Sequence, residues 1–157
     1  RAALGAGEAG STLAEEVELA ERYLAIEALR LGARLQVAWD RREPLPWRQP
    51  LPRLVLQPLV ENAVLHGISR LPQGGTVAIV LRAEAGRLHL AVGNPAPPAA
   101  EPALHVGAGH AQRSIGLRLA HAFGPRARMT SGGDAGYYRC ELEVPIADPG
   151  WAGEQAR

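Results

Sequence analysis

Leu56-Gln57-Pro58-Leu59-Val60-Glu61-Asn62-Ala63-Val64-Leu65-His66-Gly67 is the stretch on which the reading of this chain turns. From Leu54 to Gly67 the sequence is apolar except for Gln57, Glu61, Asn62 and His66, and Gly67 stands where a helix would stop. Pro58 fits such a helix only in or near its first turn, where a missing N–H is harmless. In so apolar a helix, Glu61 and Asn62 would strand polar groups at a cost of a few kcal/mol unless something satisfies them. Asn62 and His66, four apart, share a face, and Glu61 is turned about 100° from Asn62. One helix edge then offers an amide, a carboxylate and an imidazole. Such oxygen ligands suit Mg²⁺ held mainly by phosphates and water. A core helix with a satisfied Asn is the competing reading of the same residues.

Upstream, Thr12 with Glu15 resembles a capping box, and Leu13, Val17, Ala20, Leu24, Ala28 and Leu31 recur at helical spacing to about Gly32. Leu35, Val37 and Trp39 alternate as in a strand, and Arg41 to Pro52, with four prolines, reads as a loop. Downstream, Thr76–Arg82 and Leu88–Val92 read as an antiparallel hairpin. Asn94 to Gln112 shows no period and reads as a long loop, of the kind that is usually functional or disordered. Ile115 to Phe123 returns to helical spacing; Arg128–Ser131 and Tyr138–Val144 read as strands, and Asp148–Arg157 as a frayed tail. This order predicts an α+β fold, a two-layer α/β sandwich with helices on one face of a mixed or antiparallel sheet. Gly107-Ala108-Gly109 follows a loop rather than a strand, so neither a dinucleotide fingerprint nor a P-loop is present.

The chain has 157 residues, 46% apolar and 21% charged, as in a single globular domain. Seventeen basic residues against sixteen acidic leave a net charge of +1, which disfavours direct nucleic-acid binding. All the basic residues are arginine, so a cationic phosphate contact must come from a guanidinium or a protonated histidine. The single cysteine, Cys140, cannot make an internal disulfide, which points to a reducing compartment. No apolar run approaches the ~18 residues of a membrane span, and Arg1–Gly10 lacks the apolar core of a signal peptide, so a membrane anchor is expected elsewhere.

Two further segments carry candidate chemistry. Glycines Gly107 and Gly109, ahead of Ser114-Ile115-Gly116-Leu117-Arg118-Leu119, could turn backbone N–H groups toward phosphate oxygens, although most such pairs are turns. Val92-Gly93-Asn94-Pro95 closes a strand with an amide able to accept from and donate to a base edge; taken alone, Asn94 is a turn residue.

Together and in this order, these segments resemble the GHKL ATP-binding fold, and specifically the LytS-like (AlgZ-related) sensor histidine kinases. The pattern Leu-Gln-Pro-Leu-Val-Glu-Asn-Ala-x-x-His-Gly occurs from Leu56 to Gly67; Leu13–Glu16, Tyr23–Glu27 and Arg30–Leu35 resemble the preceding helix, and Tyr138–Pro145 the closing strand. The resemblance covers Leu13 to Pro145. It implies an ATP and Mg²⁺ site between the Leu54 helix and the lid loop from Asn94 to Gln112. In that site Asn62 would be the Mg²⁺ ligand and Glu61 the carboxylate that helps activate the accepting imidazole. His66, Gly67, Gly107 and Gly109 would surround the phosphates, Asn94 would meet the adenine edge, and Ser114 and Arg118 would complete the nucleotide-binding set. The reaction would transfer the γ-phosphoryl group to a histidine.

The chain departs from the pattern at Leu65, Asn94, Ala111 and Ser114, where many relatives carry Lys or Arg, Asp, Gly and Asn. Arg113 or Arg118 could replace the missing lysine. No Pro-His-Phe-like acceptor segment accompanies His66, His89, His105, His110 or His121, so the piece is expected to bind ATP but not to phosphorylate itself. The resemblance divides it into a linking helix at 1–34 from the missing dimerisation and phosphoacceptor region, a catalytic domain at 35–147 and a tail at 148–157. It implies dimerisation helices and a response regulator as partners. The full-length chain would be a homodimer, membrane-bound only through missing N-terminal segments, with this part on the cytoplasmic side of the inner membrane. The departures motivate an alternative, a degenerate non-catalytic GHKL module serving as an interaction scaffold. A small-ligand enzyme using Glu61 and His66 lacks a second carboxylate at suitable spacing.

Overall fold

A computed structural model describes residues 10–98, 106–148 and 150–151, the side chains of 106–109 excepted. A short strand, β1 (Gly10–Thr12), runs into α1 (Leu13–Leu31), which starts as its capping box dictates. Glu15 N–H donates to Thr12 Oγ1 at 3.2 Å and Thr12 N–H to Glu15 Oε1 at 3.0 Å. There follow β2 (Leu35–Arg41), β3 (Pro50–Pro52), α2 (Leu56–Leu65), β4 (Gly75–Glu84), β5 (Arg87–Pro95), α3 (Val106–Phe123), β6 (Arg128–Asp134) and β7 (Tyr137–Pro145).

Five strands form one mixed sheet in the order β2-β4-β5-β7-β6, with β2 parallel to β4 and every other pair antiparallel. Alternation decides which face is covered. Val77, Ile79 and Leu81 of β4, Leu88, Leu90 and Val92 of β5, and Cys140, Leu142 and Val144 of β7 are buried. On that face α1 packs on β2, α2 on β4 and β5, and α3 on β6 and β7. The other face stays open and charged: Arg82, His89, Glu143 and Arg128 lie directly across β4, β5, β7 and β6. The fold is thus the expected α+β two-layer sandwich, with a mixed sheet. α1 contributes Leu13, Val17, Ala20 and Leu24 to the same core as α2.

Two loop expectations need correction. The proline-rich stretch ends in β3, which pairs antiparallel with β1 through Gly10↔Pro52 and Thr12↔Pro50; prolines, which cannot donate to a ladder, are tolerated in so short an edge pair. The stretch from Asn94 to Gln112 is not loop at either end, since β5 runs through Pro95 and α3 begins at Val106. Gly107 and Gly109, each costing about 1 kcal/mol in a helix, mask that start in the sequence. Packing of Ile115 and Leu119, both buried, outweighs them. Residues 99–105 of the proposed lid, His105 among them, lie outside the described residues, as do 1–9, 149 and 152–157. Where described, the tail is held, since Asp148 accepts from the Arg48 N–H at 3.0 Å and from the Gly150 N–H at 2.7 Å.

The entry to α2 depends on α1. Val55 at its N-cap offers no side-chain cap, and Leu54 before it sits at φ 58°. Glu16 of α1, 1% exposed, supplies the acceptor. Its carboxylate takes the N–H groups of Leu54 at 3.1 Å, Val55 at 2.8 Å and Leu56 at 3.1 Å. An anion at a helix N-terminus is doubly favourable, satisfying orphan donors and meeting the dipole. Replacing Glu16 with Ala should lower the unfolding free energy by about 3 kcal/mol, because three amides lose their acceptor. Loss of the exposed capping partner in Glu15→Ala should cost about 1 kcal/mol. Urea denaturation measures both, and equal small losses would mean that the carboxylate does not hold this segment.

Candidate functional site

Leu56, Leu59, Val60, Ala63 and Val64 are buried, which seats α2 on the sheet and turns Glu61, Asn62, Leu65 and His66 toward one edge. Pro58 occupies the first turn, as required. The Glu61 carboxylate accepts from Gln57 Nε2 at 2.8 Å, one helical turn back, which fixes its direction. Asn62 is different: its side-chain nitrogen is buried and has no hydrogen-bond partner. A buried unsatisfied donor costs about 1–3 kcal/mol, so this amide is a group held ready rather than a packed one. His66 closes the helix, its N–H donating to the Asn62 carbonyl at 2.9 Å.

Gly67 then brings Asn94 of β5 into the site. A Cβ on Gly67 would lie 2.1 Å from Asn94 Nδ2 and 2.6 Å from the Ala63 carbonyl, so only glycine admits this approach. Asn94 is 3% exposed, on the helix-covered face. Its Nδ2 donates to the Pro95 carbonyl at 2.9 Å. A carbonyl can only accept, so this bond fixes the amide and leaves Oδ1, an acceptor, and the second Nδ2 hydrogen for any further partner. Asn62, His66, Gly67 and Asn94 are therefore brought to one junction at the C-terminal end of α2.

The remaining candidates are placed otherwise. Gly107 and Gly109 lie within the first turns of α3 rather than ahead of it. Ser114 and Arg113 are exposed on α3, and Leu65 is 48% exposed on α2. Arg118 donates to the Arg53 carbonyl and, through Nη2, to that of Leu54 at 2.9 Å, so it clamps α3 onto the segment leading into α2. Among the described residues no group of three His, Cys, Asp or Glu side chains could hold a metal ion. The oxygen donors that α2 does place on one edge, the Asn62 amide and the Glu61 carboxylate, are of the kind that suits an ion carried mainly by phosphates.

Sequence reasoning missed Glu16 and Tyr23 as supports of this edge. The i, i+4 spacing of Gln57 and Glu61 was a readable signal for the third support. Tyr23 of α1 packs against the core with its hydroxyl buried and unpartnered. Burial first, then the Glu27 and Glu61 carboxylates, push its pKa up to about 12.

No family model matches the chain. It is 34% identical over 133 residues to YwpD of Bacillus subtilis (strain 168), covering 80% of this chain and 47% of YwpD. It is 46% identical over 81 residues to the sensor histidine kinase BtsS of Escherichia coli (strain K12), covering 52% of this chain and 14% of BtsS. Against the sensor protein LytS of Enterococcus faecalis (strain ATCC 700802 / V583) the identity is 30% over 88 residues, covering 56% of this chain and 15% of LytS. The chain thus spans less than half the length of each of these relatives. Among solved structures, the nucleotide-free catalytic domain of histidine kinase ThkA matches with a TM-score of 0.60 at 13% identity, over 88% of this chain and 95% of that one. Full-length ShkA in complex with AMPPNP matches at 0.66 and 22%, over 94% and 33%. ThkA in complex with the response regulator protein TrrA matches at 0.61 and 11%, over 91% and 43%.

Two outcomes follow from this geometry. Gly67→Ala should destabilise by about 2 kcal/mol or more through overpacking, whereas Gly132→Ala, whose Cβ meets nothing within 4 Å, should stay within about 0.5 kcal/mol; chemical denaturation compares them. Because the folded pKa of Tyr23 lies above the ordinary 10, its stabilising contribution is complete below pH 10 and is lost as pH rises through about 12. Tyr23→Phe should flatten that alkaline decline; an unchanged slope would place the titration elsewhere.

Proposed function

From a chain with the GHKL fold of histidine kinase catalytic domains, and with sensor histidine kinases including LytS for relatives, we propose the ATP-binding catalytic domain of a two-component sensor kinase. Its reaction is transfer of the γ-phosphoryl group of Mg-ATP to a histidine outside this domain. The observation that carries this reading is the unpaired, buried Asn62 amide on the edge that also bears the Gln57-held Glu61.

Asn62 would hold Mg²⁺ through its amide oxygen and offer its unpartnered nitrogen to a phosphate oxygen. The ion, when bound, neutralises charge on the transferring group. Glu61, already fixed by Gln57, takes up the proton of the accepting imidazole. His66, Gly67 and the backbone at Gly107 and Gly109 border the phosphates, with Ser114 beside them on α3. Arg118 joins them only by exchanging two carbonyl acceptors for phosphate oxygens. Asn94 offers its Oδ1 to the amine at C6 of adenine, a position at which guanine carries a carbonyl that could not donate.

In this reading the phosphoacceptor and dimerisation helices join upstream of α1, so 1–34 both links and packs, and 148–157 forms a tail. The full-length protein is a homodimer that passes phosphate to a response regulator. It is anchored in the membrane with this domain on the cytoplasmic side; no described helix is itself long and apolar enough to cross.

Isothermal titration tests the site. The chain should give saturable heat with Mg-ATP at submillimolar concentrations, weaker heat with GTP, and about a tenfold loss of affinity in Asn62→Ala. Equal binding by Asn62→Ala, or none by the native chain, removes the proposal. Joined to its acceptor helices, the domain should transfer label from γ-labelled ATP to histidine, and Glu61→Ala should abolish the transfer. Nucleotide binding without any transfer would favour the scaffold reading.

A further inference from the structure

Glu16 and Arg30 mark the two ends of the seam between α1 and the stretch containing α2. Glu16 accepts from the Val55 N–H at 2.8 Å, and Arg30 Nη2 donates to Ser69 Oγ at 3.3 Å, each contact spanning 39 residues of sequence. Equal separations at both ends mean that the two stretches run side by side in the same direction. Residues seven apart on a helix share a face, so Tyr23, midway between Glu16 and Arg30, lies on that seam. The same offset brings it to the level of Glu61 and Asn62 on α2. Tyr23 differs from the other polar residues of the seam. Glu16 and Arg30 spend their polar atoms across it, and Glu27 accepts from Arg30 Nε at 3.0 Å. The Tyr23 ring packs against the core, but its hydroxyl is buried with no hydrogen-bond partner.

We infer that Tyr23 is a positioning residue for Glu61: during phosphoryl transfer its hydroxyl donates to the carboxylate from α1, while Gln57 holds the same carboxylate from α2. Burial first, then the Glu27 and Glu61 charges, keep the phenol protonated far above neutral pH, so the group is a donor and not a base. Glu61 has acceptor capacity for it, because Gln57 Nε2 takes Oε2 and an ionised carboxylate offers about four acceptor sites. Held by one donor from its own helix, the carboxylate can still swing about that bond. A second donor from a different helix removes the freedom and leaves acceptor sites for the incoming imidazole. The inference rests on the transfer reading above and adds nothing to how nucleotide is bound.

The test uses the domain joined to its acceptor helices, with single-turnover transfer from γ-labelled ATP and Mg-ATP affinity measured side by side. Tyr23→Phe keeps the ring and loses the hydroxyl; it should transfer about tenfold more slowly and bind Mg-ATP within about twofold of the native protein. Without nucleotide, the same variant deletes a donor that has no partner, so its urea midpoint should equal or exceed the native one. Because both donors act on one carboxylate, the losses in Tyr23→Phe and Gln57→Ala should not simply multiply; the double variant should depart from their product by about twofold or more. A native transfer rate in Tyr23→Phe, a loss of affinity equal to the loss of rate, a lowered urea midpoint or strictly multiplicative losses each overturn the inference and leave the transfer reading standing. Absence of transfer in the native protein removes both.

Discussion

Glu16 turns a buried carboxylate toward three successive amides at the head of α2, and from the other side Arg118 takes the carbonyls of Arg53 and Leu54. The segment 53–56 is thereby gripped through its donors by α1 and through its acceptors by α3. This explains how Leu54 can hold φ 58°, a conformation that costs a non-glycine residue about 1 kcal/mol or more. It also sets the axis of α2, so the direction of every polar group on the functional edge is inherited from two charges on other helices.

The two asparagines of the site show how environment divides one side-chain chemistry into two roles. Asn94 is enclosed, and one of its two N–H groups is given to Pro95, which sets its orientation. Asn62 keeps a buried donor with nothing to give it to. The first is fixed in orientation and the second carries an unmet demand, a combination that preorganisation favours at ligand sites. Glu61 stands between these extremes, held by Gln57 at one oxygen.

What could be read from sequence was what is local. The Thr12–Glu15 box, the alternation of β4 and β5, and the apolar run around Glu61 and Asn62 each declare themselves within a few residues. What could not be read depends on partners far along the chain. Arg118 resembles a phosphate cation in sequence because its acceptors are backbone carbonyls 64 and 65 residues away. The start of α3 was hidden because Gly107 and Gly109 argue against a helix that tertiary packing imposes. The β1–β3 pair was hidden because two of its three positions on one side are proline. The burial of Asn94 could not be seen at all, since it depends on Gly67 lying against it from another element.

The parallel pairing of β2 with β4 carries a consequence for how the domain comes into being. Strands running the same way need a long crossover between them, and here that crossover contains α2. A nascent chain can therefore not display a working helix edge as soon as Leu65 has been synthesised. It must wait for Gly75–Glu84 to close the loop, for β5 to bring Asn94 against Gly67, and for α3 to bring Arg118 to the segment before α2. The edge is in this sense assembled late, from elements spread over most of the described residues.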